Sequence, residues 1–411
     1  MRPAALIVLP LLLAAATLPA QTPQPVPVPV PVPQAAAAPT GPVAIPPAPA
    51  SSAAAWILMD VASGRILAGQ NYDAPRAPAS LTKVMSSYVV AAELAAGRIR
   101  RDDTVLISER AWREGGAGTA GSFSGFEVNS RAPLEAVMTG MVVQSGNDAS
   151  IALAEHVAGS EEAFVQLMNH HARRLGLRNT NFANSHGLDA EGQVMSARDM
   201  ATLVRALVNH FPEAYALHSI KEFTWNGITQ HNRNGLLWRD PSVDGVKTGF
   251  TRSAGFNLAA SAERDGMRLV SVVMGIDAPT RAESFRLRES DNLALLNWGF
   301  RFFESHALFD PATPLATQPV FKGRADELAL GVARPLRVTL PRGRYADLRP
   351  QIDVPKRILA PVTRGQAIGT VRVLLDGEVV ASAPLVALAE VPEAGFIGRM
   401  VDEFRLWWNA E

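Results

Sequence analysis

Residues 21–50 alternate Pro with Val and Ala, as in Pro25-Val26-Pro27-Val28-Pro29. Proline lacks the N–H that a helix or sheet interior needs, so this stretch excludes both and favours extended polyproline II. Fully extended it would reach about 90 Å, at about 3.1 Å per residue, and it reads as a spacer. It divides the chain into a short leader and a folding body. In the leader, Arg2 precedes an apolar run from Ala4 to Ala16 and then Leu18-Pro19-Ala20. A charged start, an apolar stretch and a small-residue end predict a secretory signal peptide over residues 1–20. The run is too short for a membrane span, which needs about 20 residues, and no other stretch is long and apolar enough.

The body opens at Ala54. Trp56–Met59 and Arg65–Leu67 read as short strands around the turn Ala62-Ser63-Gly64. Helical patterns follow Ser80, Pro133, Asp148 and Ser196, the last with a capping arrangement in Ser196-Ala197-Arg198-Asp199. Strands return from Gly245 to Ile276, where Phe256–Ala262 and Met267–Met274 flank a turn at Glu263-Arg264-Asp265-Gly266. A helix from about Ser284 to Phe303 follows. Strands, helices and strands again predict an α/β or α+β domain over residues 51–310. After Pro311 short apolar runs recur between Pro and Gly: Leu328–Val332, Leu336–Leu340, Ile358–Ala360, Thr370–Leu375 and Val379–Val386. They predict a small all-β domain over residues 316–391 without a catalytic cluster.

Acidic and basic residues number 39 each, so bulk charge gives no case for nucleic-acid binding. The absence of cysteine excludes disulfides, thiol catalysis and Cys-ligated zinc. No set of His and carboxylates has metal-ligand spacing.

Ser80-Leu81-Thr82-Lys83 is the strongest candidate. Residues three apart share a helix face, so Lys83 can bring its amine beside the Ser80 hydroxyl. Serine needs a base to take its proton. Lysine can be that base if its neighbours lower its pKa, whereas arginine cannot. Only five of the 39 basic residues are lysines: Lys83, Lys221, Lys247, Lys322 and Lys356. In a chain that favours arginine, lysine marks places where arginine fails, and only Lys83 has a serine three positions earlier. The Ser80 N–H, at a helix start, suits one arm of an oxyanion hole.

Ser145-Gly146-Asn147 lies between two helical patterns. A tight turn at the glycine would project Ser145 and Asn147 into a cleft, for a proton relay and for a substrate amide. Lys247-Thr248-Gly249 lies in a predicted strand from Val243 to Thr251. Beside the nucleophile it could align an extended peptide by backbone hydrogen bonds. Lys247 and Thr248 favour a carboxylate there, and Gly249 leaves room for close approach. His186 reads as a loop-shaping residue, and Asp148 and Asp199 as helix starts.

S-x-x-K, S-D-N and K-T-G occur together in class A β-lactamases and penicillin-binding proteins; here the order is the same and the middle motif is Ser-Gly-Asn rather than Ser-Asp-Asn. The chain resembles the low-molecular-mass penicillin-binding proteins of the D-alanyl-D-alanine carboxypeptidase family over about residues 52–411. The resemblance rests on Pro78–Lys83, Gln144–Ala149, Asn232–Leu237, Asp244–Gly249, Asp376-Gly377 and Ala394–Phe396. It implies a penicillin-binding-protein/β-lactamase-like catalytic domain followed by the all-β domain. It implies that Ser80 attacks the bond between two D-alanines of peptidoglycan stem peptides. Lys83 would be the acylation base, with Ser145 and Lys247 in the proton-relay and electrostatic network. Phe250 would supply the second oxyanion N–H, and Arg233 would lie near the substrate carboxylate. β-Lactam antibiotics would acylate the same serine, and no cofactor is implied. A D,D-endopeptidase is chemically almost identical. A β-lactamase is disfavoured, because no Glu-x-x-Leu-Asn pattern lies between Asn147 and Lys247.

Residues 393–411 form an amphipathic pattern. Phe396, Ile397, Met400, Val401, Phe404, Trp407 and Trp408 fall within an arc of roughly 140° at helical spacing, and Leu406 alone breaks it. This predicts a membrane-anchor helix lying on a lipid surface, with the enzyme on the outer face of the inner membrane in the periplasm.

Overall fold

A computed structural model describes residues 44–119, 121–311 and 313–408, and not the side chains of 405–408. The signal-peptide and most of the Pro-rich segment lie outside the described residues. The end of that segment belongs to the folded body: Trp298 Nε1 donates to Pro46 O at 3.2 Å, and Ala48 packs on the core. The Ser51 and Ser52 hydroxyls then anchor on Asp291 Oδ2, each at 2.8 Å.

The centre is a five-stranded antiparallel sheet. In spatial order its strands are Ile66–Gln70, Ala55–Asp60, Met267–Ile276, Gly255–Arg264 and Val243–Thr251. All six residues of Ala55–Asp60 are buried, because both faces are covered. Ile57 and Met59 face the helices Thr82–Ala95, Leu134–Val143, Asn147–Ala158, Glu161–Arg174 and Ala197–His210. Trp56 and Leu58 face the helix Arg281–Phe302. A strand covered on both faces loses its polar alternation and reads as one apolar run. The hairpin turn tightens to Asp265-Gly266, both at positive φ, as a two-residue turn requires.

The edge strand Val243–Thr251 has the bounds the sequence predicts. Its outer edge is free for an extended partner, and its start packs against the turn Leu217–Ser219.

The second unit begins earlier than the expected boundary. Phe303–Phe309 falls inside the span assigned to the catalytic domain, but it pairs antiparallel with Leu336–Pro341. Helix and strand abut without a loop, so the sequence carries no break there. A six-stranded sheet completes the unit around Leu330, Val338, Val371 and Leu385. The helix Phe396–Trp408 follows.

Candidate active site

Ser80 sits in the 3-10 turn Ala79–Leu81 that leads into the helix Thr82–Ala95. Ala79, just before it, has φ +50°, a left-handed backbone that alanine adopts only under constraint. The Lys83 amine is fully buried and lies 3.2 Å from Ser80 Oγ. It donates to Asn147 Oδ1 at 2.7 Å and to the His186 carbonyl at 2.6 Å. A neutral amine has two N–H donors and one lone pair. In the neutral form the two short contacts can take both donors, which leaves the lone pair for the Ser80 hydroxyl; in the charged form the third N–H donates to it. Burial, and then the charge of Arg233, draw the Lys83 pKa from the ordinary lysine value down to about 7. Asp148 and Glu161 pull the other way. The amine is therefore poised to accept a proton near neutral pH.

A tight turn joins the helices Leu134–Val143 and Asn147–Ala158. Ser145 takes the left-handed conformation, at φ +68°, while Gly146 is extended. The glycine is needed for space, because a Cβ there would meet Ser124 Oγ at 1.8 Å and Asp148 Oδ1 at 2.6 Å. The Ser145 hydroxyl is buried and makes no hydrogen bond. A buried donor held this way is available to a reacting group. Asn147 holds the Lys83 amine through Oδ1, so that oxygen is not free for the substrate amide expected of it. Asp148 starts its helix as expected and also accepts the Ser124 N–H at 2.8 and 3.0 Å, tying down the glycine-rich loop before it.

The edge strand brings up the third cluster. A Cβ on Gly249 would lie 2.9 Å from Pro78 O and 3.2 Å from the Ser80 N, so glycine lets the strand touch the nucleophile's backbone. Lys247 and Thr248 are buried, and the Lys247 amine donates to its neighbour's carbonyl, Thr248 O, at 3.2 Å. Burial first, then the charges of Lys83, Arg233 and Arg288, push the Lys247 pKa well below the ordinary lysine value. An anion arriving here favours the charged form, which is how a carboxylate would be gripped. Phe250 follows, paired with Phe256 across the strands and with its ring exposed. Arg233 is exposed on the loop before the helix Leu236–Arg239.

Residues 43–278 match the family model for D-alanyl-D-alanine carboxypeptidase, and residues 303–393 match the C-terminal domain of penicillin-binding protein 5. The chain belongs to the D-alanyl-D-alanine carboxypeptidase family. It is 44% identical over 368 residues to D-alanyl-D-alanine carboxypeptidase DacA of Escherichia coli (strain K12), covering 89% of this chain and 90% of that one. DacC of the same organism is 44% identical over 370 residues, covering 88% and 91%. The crystal structure of penicillin-binding protein 5 from Haemophilus influenzae superposes with a TM-score of 0.78 at 40% identity, covering 85% of this chain and 100% of that one.

Within this carboxypeptidase the sequence reading passes over two supporting residues. Glu161 looks like a first-turn acid after the N-cap Ser160, yet it is buried and accepts the Ser185 N–H at 2.9 Å and hydroxyl at 2.7 Å. It thereby fixes the loop whose His186 carbonyl holds Lys83. His186 itself accepts the Leu188 N–H at 3.1 Å through Nδ1. Burial, then Lys83 and Arg110, push its pKa down to about 3, so it shapes the loop and is badly matched to base catalysis at neutral pH. Arg288, buried in the helix Arg281–Phe302, donates to the Arg233 carbonyl at 2.9 Å. The spacing Ser284, Arg288, Asn292, Leu295/Leu296, Gly299 is helical, but its first half is polar and hides the buried face.

Proposed function

We propose that this family member removes the terminal D-alanine from peptides ending in D-Ala-D-Ala through an acyl-enzyme on Ser80. The observation that carries the mechanism is the buried Lys83 amine, 3.2 Å from Ser80 Oγ, 2.7 Å from Asn147 Oδ1 and 2.6 Å from the His186 carbonyl; once neutral, it can spend its two N–H groups on the latter two and offer its lone pair to Ser80. Lys83 takes the hydroxyl proton as the oxygen attacks the carbonyl between the two alanines. The N–H groups of Ser80 and Phe250 receive the oxyanion. Lys247, Thr248 and Arg233 hold the terminal carboxylate, and Gly249 lets the strand come close. Ser145 relays a proton towards the departing amine. Water then releases the shortened peptide, and β-lactams acylate the same serine.

The substrate is the peptidoglycan stem peptide, which places the enzyme in the periplasm after export by the signal peptide. Residues 51–302 form the catalytic unit, the β-rich unit is a pedestal, and the terminal helix lies on the outer face of the inner membrane. No helix among the described residues is long and apolar enough to cross a membrane.

A fluorescent penicillin and a D-Ala-D-Ala pentapeptide test the reading together. Native protein should take the label and release free D-alanine; Ser80→Ala should do neither while melting at an unchanged temperature. An adduct mapped by mass spectrometry to Ser145 would overturn the nucleophile assignment. A crosslinked peptide dimer cleaved faster than the pentapeptide would make the enzyme an endopeptidase.

A further inference from the structure

Beyond the C-terminal end of the edge strand lies a cavity of about 380 Å³. Arg76, Arg252 and Arg281 line it, with Phe250, Phe256 and Asp277. The Arg281 guanidinium stands 5.1 Å from the centre of the Phe250 ring, and that ring lies 4.3 Å from Phe256. Arg281 is also 5.7 Å from Phe285.

Three cations share this wall. The ion pairs made by the helix Arg281–Phe302 are Arg286–Glu283 and Glu289–Arg239. Arg76, Arg252 and Arg281 take part in no ion pair among the described residues, and neither does Asp277, which is exposed. The Arg76 Nε is buried without a hydrogen-bond partner. Three guanidinium groups against the one carboxylate of Asp277 leave the wall net positive, and an arriving anion would compensate it. Guanidinium forks suit a carboxylate best.

The direction of the bound peptide, which rests on the function proposed above, says which carboxylate this is. If the terminal carboxylate lies at Lys247 and Thr248 and the scissile carbonyl at Phe250, the peptide runs antiparallel to the strand. Its acyl portion continues past Thr251 towards Arg252. Strand residues advance about 3.3 Å each, so the third residue from the C-terminus comes level with Arg252.

We infer that this cavity is an acyl-side subsite for a carboxylate on the third residue of the peptide, with Arg252 and Arg281 as its ligands and Phe250 as its floor. The enzyme then favours anionic third residues over neutral ones of the same shape.

N-acetyl-Glu-D-Ala-D-Ala and N-acetyl-Gln-D-Ala-D-Ala differ in that charge alone. The native enzyme should prefer the Glu peptide by about five- to ten-fold in kcat/KM, with the preference shrinking as salt rises. Arg252→Gln combined with Arg281→Gln should bring the ratio to about one by slowing the Glu peptide. Both arginines are exposed, so folding is not at stake. An equal loss on both peptides, or an unchanged ratio, overturns the subsite. Calorimetric binding of the two peptides to Ser80→Ala, with and without the arginine substitutions, reads the subsite independently of turnover. A Glu preference in binding that disappears with the arginines upholds it, even if the native enzyme cleaves neither peptide, a result that would sink the catalytic reading alone. No Glu preference in binding overturns it.

Discussion

The two units of this chain build apolar cores of the same kind and differ in what else they bury. The catalytic unit encloses Lys83, Asn147, Asp148, Glu161, Lys247 and Arg288, each with less than a tenth of its surface exposed. Among the described residues after Phe302, Thr339 is the only polar side chain buried to that degree. Burying a polar group is unfavourable unless a partner compensates it, and burying a charge more so. The first unit accepts that cost in its cleft and at further points of its core such as Glu93, Asp199 and Asn292, and the second accepts much less of it. Left-handed Ala79 and Ser145 flank the Ser80–Lys83 pair; in the β unit left-handed Asp376 serves a hairpin turn with Gly377, and left-handed Lys322 lies just past Phe321, beside the terminal helix. Burial that no stability argument explains marks where the chemistry lies.

Lys83 gives the sharpest way to break that contrast. Lys83→Arg keeps a cation and loses the base, so acylation by penicillin should fall by about 10³-fold or more. Lys247→Arg should cost less, about 10- to 100-fold, because that residue acts by charge. Stopped-flow labelling measures both, and near-native acylation by Lys83→Arg would refute the base assignment. The native enzyme carries the same information in its pH profile. The base must be neutral, and its pKa is lowered to about 7. Acylation should therefore decline as pH falls through about 7, as Lys83 gains a proton, and level off above it. A rate flat from pH 5 to 9 would show that the amine is not the base.

How far the cleft could be read beforehand follows the same line. The Ser80–Lys83 spacing is a helix turn, and the strand Val243–Thr251 has a pattern of its own, so both are local and legible. Glu161, Arg288 and the His186 carbonyl act across the fold; their roles depend on which loop packs where, and no neighbouring residues announce them. The reason for Gly146 is not legible in the sequence, because crowding by Ser124 and Asp148 across the fold decides its use. The junction at Phe303 is not legible in the sequence because helix passes directly into strand.

Removing the β unit should change far less. It touches the catalytic body where the Ser63 hydroxyl meets that of Thr339 at 2.7 Å and Arg65 donates to Thr339 O at 2.5 Å. Arg342 adds a bond to Phe300 O at 2.9 Å. A fragment ending at Phe302, rather than at 310, leaves no unpaired strand behind. It should hydrolyse a soluble peptide with kcat/KM within about two-fold of the whole enzyme, and lose about 1–3 kcal/mol of stability for those bonds. A folded but inactive fragment would show that the pedestal completes the site.

The terminal helix should matter least to catalysis and most to location. Its polar edge faces the β unit: Asp402 accepts the Lys322 N–H at 2.6 Å, and Glu403 pairs with the Lys322 amine. Phe396, Ile397, Met400, Val401 and Phe404 remain between 47% and 79% exposed, an apolar face too large to leave in water without a use. Each such side chain contributes about 1.5–3 kcal/mol when fully buried and less in a lipid interface. From Glu393 onward the sequence has four acidic residues and two arginines, so attraction to anionic lipid is not the main term. The full-length enzyme should stay on membranes through a high-salt wash and leave them in detergent. Deleting residues 393–411 should release it into the soluble fraction with kcat/KM unchanged. Release of the full-length protein by salt alone would make the anchor electrostatic, and a large loss of kcat/KM in the truncated form would tie this helix to the cleft after all.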